Sequence, residues 1–302
     1  MGKDKLRVLT LDYVTEQIDR LPLLPSVTWE LSELSHDADN FYEKVTELAE
    51  QDPPLTAKIL KFANSASSSP VSQIHNVHHA LVRLGVLNTL DLITALAVEK
   101  AFKPSKAEHK GIWRHSIETA IFSRFLVDHM PGFHVSGSLA YTCGLLHDIG
   151  RFVLLQISFK IIDLVDMKGW NTPEELPDVE RELFGFSHAE VGYIAAERWQ
   201  LPKVVCNTLR FHHHYNLWNL EEASQSFLQL LTVIQFADFL SVLLIKNPDW
   251  SDWSKEELKE QISEYCIHSD WPGIQFPIDA LIQELPELAS KCERILSCAG
   301  ID

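Results

Sequence analysis

The sequence predicts an all-α protein, and three observations carry that expectation. Sustained apolar–polar alternation is scarce, and so are the Asn-Gly and Asp-Gly turns that close β-hairpins. Apolar residues instead recur three and four positions apart along most of the chain. The composition, 46% hydrophobic and 23% charged, is that of an ordinary globular chain with enough apolar residues for a large core.

From about residue 20 to 102 the chain reads as short helices separated by proline and polar clusters. Pro22 and Pro25 precede a helical segment from Val27 to Leu34, and DADNFYEKVTELAEQ leads into a helix that stops before QDPP. In LTAKILKFANSAS, Leu55, Ile59, Leu60 and Phe62 fall on one side of a helix. The pattern VHHALVRLGVLNTLDLITALAVEKAF is helical with a break near Leu84-Gly85, and KPSKAEHKG, residues 103 to 111, is the best candidate linker. IWRHSIETAIFSRFLVDHM is an amphipathic helix in which Trp113, Ile117, Ile121 and Phe125 repeat every four residues. A further helix is centred on GLLHDIGRFVLL and extends through Ile157 and Ile161. Ser187-His188-Ala189-Glu190 has the form of a capping box, which puts His188 in a first helical turn. Pro202 suits the start of another helix, running to FHHHY. These elements divide into an N-terminal helical subdomain over residues 1–102, a second over 112–245 and a C-terminal helical extension over 246–302.

The formal charge of −16 repels polyanions, so no nucleic-acid partner is expected; the densest basic stretch, Lys103 through Lys110, holds only three lysines. Five cysteines with no C-x-x-C pair offer neither a disulfide framework nor a thiolate zinc site, and fit a reducing, cytoplasmic setting. The opening MGKDKLRVLTLDYV has no apolar signal core, and Leu6 stands where a myristoylation motif has Ser or Thr. The stretch Phe227 to Ile245 is apolar enough to resemble a membrane span. Its Gln229, Thr232, Gln235, Asp238 and Ser241 recur every three positions and wind around a helix, which fits burial inside the protein and leaves no membrane expected.

Several polar residues occupy places where the helical pattern wants apolar ones: His115, His147, Asp148, His188, His212, His213 and Asp238. Taken singly, each has an ordinary explanation. A core histidine is commonly bonded to a carbonyl, a histidine run can sit at a helix end, and a buried aspartate can pair with an arginine. Together, imidazoles and carboxylates without thiolates are the donors of a borderline or hard divalent ion. Five histidines and two aspartates exceed what one tetrahedral ion uses and suit a two-metal site with Asp148 placed to bridge. On one α-helix the adjacent His147 and Asp148 would point about 100° apart. Spacing by itself leaves the ordinary readings open.

The order of motifs in the N-terminal half resembles the HDOD domain, the HD-related output domain of bacterial signalling proteins. Leu21-Pro22 with Leu24-Pro25, Asp52-Pro53, Leu60 through Asn64-Ser65, Ile74, Ala80-Leu81 and Leu84-Gly85 carry the resemblance, which covers about residues 15 to 215. It implies an HD-domain-like helical bundle preceded by an N-terminal helical HDOD subdomain. The second half resembles the wider HD superfamily of metal-dependent phosphohydrolases. Set against the HD-GYP branch, which hydrolyses cyclic dinucleotides at a binuclear centre, His115 matches the first helix histidine and His147-Asp148 the HD pair. His188 matches the lone downstream histidine, His212-His213 the adjacent pair and Asp238 the last carboxylate.

There are departures from that branch. Arg151 replaces a lysine, the Gly-Tyr-Pro loop is absent after His213, and Gly111 stands where some relatives carry an extra acidic ligand. The resemblance implies a regulatory protein with a divalent, binuclear centre held by the seven residues and a protein partner in a bacterial signalling pathway. The alternative it implies is a phosphohydrolase acting on a nucleotide or phosphate ester, with Asp148 and Arg151 in catalytic roles. Iron or manganese is the first expectation for the ions, and zinc or nickel suits the same donors.

Overall fold

The computed structural model describes residues 9–21, 38–65, 74–102, 110–219 and 223–301. The helix expected from Val27 to Leu34, the prolines before it and most of the linker at 103–111 lie outside the described residues. Among the described residues there is no strand. The elements are α1 (Leu11–Ile18), α2 (Ala38–Gln51), α3 (Pro53–Ser65), α4 (Val77–Ala101), α5 (Lys110–Asp128), α6 (Gly137–Leu146), α7 (Ile149–Ile157), α8 (Phe159–Lys168), α9 (Leu176–Phe184), α10 (His188–Arg198), α11 (Lys203–Phe211), α12 (Gln225–Lys246), α13 (Lys255–Cys266) and α14 (Ile278–Ala299). Single 3₁₀ turns lie at Leu217–Asn219 and Trp250–Asp252.

The residues that mark the N-terminal half act as local clamps. Asp52 accepts from the Leu55 N–H at 3.2 Å and so caps α3. The Asn64 carboxamide accepts from Ile74 N–H at 2.9 Å and donates to the carbonyls of Leu60 and Ile74, fastening the end of α3 to the approach to α4. Within α4 the backbone kinks at Gly85, whose φ of 76° lies where side-chain-bearing residues rarely go.

Helix α5 is the axis of the second half. It was expected to be amphipathic, but α6, α12 and α14 all pack on it, so Ser116, Thr119 and Ser123 are buried along with Trp113, Ile117 and Ile121. Helix α12 is buried continuously from Leu228 to Leu244, and its polar residues reach in different directions. Gln229 binds His134 N–H and Gly132 O, Thr232 accepts from the Trp218 indole, and Gln235 donates to the carbonyls of His212 and His214. Helix α14 runs back to the N-terminal half. Lys61 donates to Ser297 O at 2.6 Å, and the buried Asp91 of α4 pairs with Arg124 at 2.8 Å and Lys291 at 2.7 Å. No disulfide is present among the described residues, and the five cysteines are buried.

One expectation is corrected. The helix through GLLHDIGRFVLL to Ile161 is three helices, interrupted at His147-Asp148 and again at Ser158, whose φ is −164°. His147 ends α6 and Asp148, at φ −97° and ψ 17°, starts α7. The two side chains therefore take directions set by a chain turn and not by a 100° helical step.

Two glycines make that turn compatible with close packing. A Cβ on Gly144 would lie 2.9 Å from Ala120 Cα, and one on Gly150 would lie well inside contact with His188 O and 2.8 Å from Gly192 N. The His147-Asp148 turn thus sits backbone to backbone against α5 on one side and α10 on the other. Gly150→Ala is expected to lower unfolding free energy by about 3 kcal/mol, the upper end for overpacking. Gly111→Ala, where an added Cβ meets open space, is expected to raise it by about 0.4–1 kcal/mol. Chemical denaturation of the two variants checks both.

Candidate metal centre

All seven sequence-singled residues meet in one buried cluster. His115 comes from α5, His147 and Asp148 from the α6–α7 turn, His188 from the first turn of α10, His212 and His213 from the end of α11, and Asp238 from the middle of α12. Five of these positions are helix ends. The Glu190 carboxylate accepts from the Ser187 backbone N–H at 2.7 Å, which fixes the start of α10 and with it His188.

Imidazole Nε2 atoms face one another across the centre. His115 and His147 are 3.1 Å apart, His188 and His212 3.1 Å, and His188 and His213 3.0 Å. Asp148 lies among them: its Oδ1 is 3.0 Å from His188 Nε2, 3.6 Å from His212 Nε2 and 3.7 Å from His147 Nε2, while its Oδ2 is 3.7 Å from His115 Nε2. Asp238 Oδ1 is 3.4 Å from His115 Nε2.

The Nδ1 atoms point outward, to acceptors. His147 donates to Gly144 O at 2.7 Å and His212 to Leu209 O at 2.8 Å, each back into its own helix end. His188 donates to the buried Glu180 carboxylate at 2.6 Å. His115 reaches Ser241 Oγ at 3.1 Å, and Ser241 donates in turn to Glu118 at 2.8 Å. With Nδ1–H engaged, the neutral imidazole presents its Nε2 lone pair to the centre. The Nε2 lone pairs of the neutral His115 and His147, 3.1 Å apart, have no proton to share and repel, and a cation between them turns that repulsion into ligation. The chemistry of the donor set fits divalent ions. The ligand atoms of Asp148, His188, His212 and His213 all lie within 4.8 Å of one another, and so do those of His115, His147 and Asp148.

Electrostatics follow the same geometry. Burial, with the neighbouring imidazoles, pulls His115 and His147 down to about 4 and about 3, so both are neutral at pH 7. Burial alone would also lower His188, but Glu180 and Asp148 on its two nitrogens outweigh it and raise it to about 10. Burial pushes Asp148 up, yet the fields of His147 and His188 hold it well below the usual carboxylate range. Asp238 is pushed well above that range by burial and by Asp148.

Glu180 and Glu118 are not among the residues singled out in the sequence, and Ser241 stands out there only as one of the polar residues of the apolar stretch Phe227 to Ile245. Glu180 lies eight residues before His188 on a different helix, and no spacing rule connects them. Glu118 and Ser241 did carry a signal, each standing three residues after a cluster member, His115 and Asp238, on the same helix.

Arg151, buried on α7, places Nη1 3.5 Å from Asp148 Oδ2 and Nη2 3.8 Å from Asp166, and its Nε has no hydrogen-bond partner among the described residues. It lines a cavity of about 10 Å³ with His115, Asp148, His213 and Asp238, on the scale of a single water. Trp170 and Pro173, from the segment joining α8 to α9, and Leu176 at the start of α9 close that cavity. Lys246 anchors the segment by donating to Trp170 O at 2.6 Å and Asn171 O at 2.8 Å, with its ammonium 4.4 Å from the Trp170 ring centre.

The sequence matches the HDOD domain family over residues 21–215, more than half of the chain, and the chain belongs to that family. In three dimensions it is similar to a protein of Shewanella amazonensis SB2B provisionally named a phosphohydrolase. The TM-score is 0.68 and the identity 23%, with 95% of this chain and 97% of that one covered. It is similar also to an HDOD domain protein of unknown function from Geobacter sulfurreducens, with TM-score 0.66, 23% identity and 94% and 97% coverage. At this identity the likeness concerns the fold. An uncharacterized protein of Treponema pallidum (strain Nichols) is 28% identical over 227 residues, 74% of this chain; the match spans 43% of that longer protein.

The His188 imidazolium, raised to about 10 from 6.5, contributes stability that is fully present below pH about 6.5 and is lost as pH rises through about 10. In chelator-treated protein, Glu180→Gln is expected to cost about 3 kcal/mol at pH 6.5, because it removes one of the two carboxylates that hold the buried His188 charge. The difference between wild type and variant should narrow toward pH 10. Denaturant titrations at several pH values measure it.

Proposed function

We propose that the protein is a regulatory HDOD module of a bacterial signalling pathway whose HD-like half holds a pair of divalent ions. The observation that carries this reading is the convergence of five imidazole Nε2 atoms on Asp148, with Nδ1 of four of them bonded outward to fixed oxygens. His115, His147, His188, His212, His213, Asp148 and Asp238 are the residues that would hold the ions, with Asp148 shared between them. Iron or manganese leads the choice of metal, since N/O donor sets without thiolate suit several first-row ions. The site is nearly sealed: the remaining cavity of about 10 Å³ is far smaller than a nucleotide. That closure favours an ion pair that stabilises and reports over one that turns over a bulky substrate. The N-terminal helices up to residue 102 and the C-terminal extension from 246 would then form the surface read by a protein partner in the cytoplasm.

A second reading, a phosphohydrolase acting on a nucleotide or phosphate ester, is favoured by one specific feature. Arg151 is buried at the cavity with its Nε unbonded and only long contacts to Asp148 and Asp166, a planar donor fork suited to a phosphate oxygen. When bound, a divalent ion pair activates water and neutralises phosphate charge. In this reading Arg151 orients the ester, and the Trp170 segment must swing away to admit it and then exclude solvent.

Elemental analysis of untagged protein is expected to find close to two divalent ions per chain in wild type and a large loss in Asp148→Ala; near-zero content in wild type removes the metal-centre reading. Release of phosphate or nucleotide from generic phosphodiesters separates the two functions. The regulatory reading expects none from either protein, whereas the hydrolase reading expects activity that Asp148→Ala abolishes and Arg151→Ala reduces by at least about 100-fold, the scale of one lost charge-stabilising donor.

A further inference from the structure

The cluster divides into two groups that share Asp148, and the groups differ in donor number, support and access. The inner group, His188, His212 and His213 with Asp148 Oδ1, brings three imidazoles. His188 and His212 have no solvent exposure, and the buried Glu180 accepts directly from His188 Nδ1 at 2.6 Å. The outer group, His115 and His147 with Asp148 and Asp238, brings two imidazoles. Its carboxylate support is indirect, since Ser241 stands between His115 and Glu118, and Glu118 is shared with Arg114 at 3.4 Å. A fixed cation also competes there: Arg151 Nη1 lies 3.5 Å from Asp148 Oδ2, the oxygen turned toward His115. The cavity touches His115, Asp148 and Asp238 of the outer group and, of the inner group, only the half-buried His213, not His188 or His212.

Resting on the metal-centre reading above, we propose that the two halves are inequivalent ion sites filled in order. The inner site takes the first divalent ion and retains it; the outer site takes the second and exchanges it through the cavity. Glu180 is the positioning residue that sets the difference. A carboxylate bonded to the far nitrogen of a ligating imidazole fixes its orientation and raises its basicity, and removing such a partner weakens ion binding about 10–100-fold. The outer site has one imidazole fewer, its supporting carboxylate one hydroxyl further away, and the Arg151 charge beside its shared oxygen, each of which lowers its affinity.

The test uses the full chain without a histidine tag, stripped with chelator and titrated with Co²⁺, followed by visible absorption and by metal content after rapid desalting. Wild type is expected to take up two ions in steps separated by at least about tenfold in affinity, and to keep one through desalting. Asp238→Asn should lose the second step and leave the first at wild-type affinity. Adding Glu180→Gln to that variant should weaken the remaining step about 10–100-fold and alter its absorption spectrum, with Glu180→Asp restoring part of the loss. Two ions bound with indistinguishable affinity, a first step weakened by Asp238→Asn, or a first step untouched by Glu180→Gln would each overturn the ordered sites while leaving the metal centre standing. Absence of Co²⁺ uptake by wild type overturns both. If Glu180→Gln does not fold, as judged by circular dichroism, the wild-type and Asp238→Asn titrations still decide the order of filling.

Discussion

Five imidazole nitrogens aimed at one point repel one another, and the second half of this fold is arranged around holding them there. Four of the rings are kept from rotating away by an outer nitrogen tied to a fixed oxygen: a carbonyl of its own helix end for His147 and His212, a buried carboxylate for His188, a hydroxyl backed by a carboxylate for His115. Those tethers are part of the fold's hydrogen-bond structure, so the inward direction of the lone pairs is fixed before anything binds. Asp148 supplies the central negative charge that offsets part of the cost, and the imidazolium of His188 between two carboxylates is what the geometry produces when a proton, and no larger cation, occupies that place.

The packing requirements follow from this. The rings reach a common centre only if their helices approach closely, and Gly144 and Gly150, flanking the HD pair, remove the Cβ atoms that would keep α5 and α10 away. Helix α12 closes the remaining side. Its polar residues, which in an isolated sequence look like a defect in an apolar helix, each meet a specific partner: Gln235 holds the turn that presents His212 to His214, Asp238 faces His115, and Ser241 tethers His115 from behind. Burial of this helix on all sides is therefore compatible with its polar content.

Membership of the HDOD family and a cluster with both a shared carboxylate and outward-tethered histidines place this chain between two behaviours. The clamps at Asp52 and Asn64 belong to the N-terminal half. The buried ion pairs of Asp91 with Arg124 and Lys291 join that half to α5 and to the C-terminal helix. Helix α5 thus carries both His115 of the centre and Arg124 of the ion pairs that hold α4 and α14. The Trp170 segment, pinned by Lys246, keeps the centre shut in this conformation.

The all-helical class, the break at Gly85, the start of α10 at Ser187 and the identity of the seven cluster residues were all legible in the sequence, because each depends on local periodicity, on a short capping motif or on polar residues in apolar places. The break between His147 and Asp148 was not: the run GLLHDIGRFVLL has continuous helical periodicity, and the turn exists because two neighbouring helices press against glycines on either side of it. Full burial of α5 was likewise invisible, since one helix's pattern does not show how many others will cover it. The role of Glu180 was decided by tertiary structure alone. It meets His188 across two helices, and a carboxylate on a short helix reads as surface until folding removes it from water. Sequence thus named the chemical groups, whereas the directions of their nitrogens, the oxygens that fix them and the difference between the two halves of the centre arose from long-range packing, which no local pattern encodes.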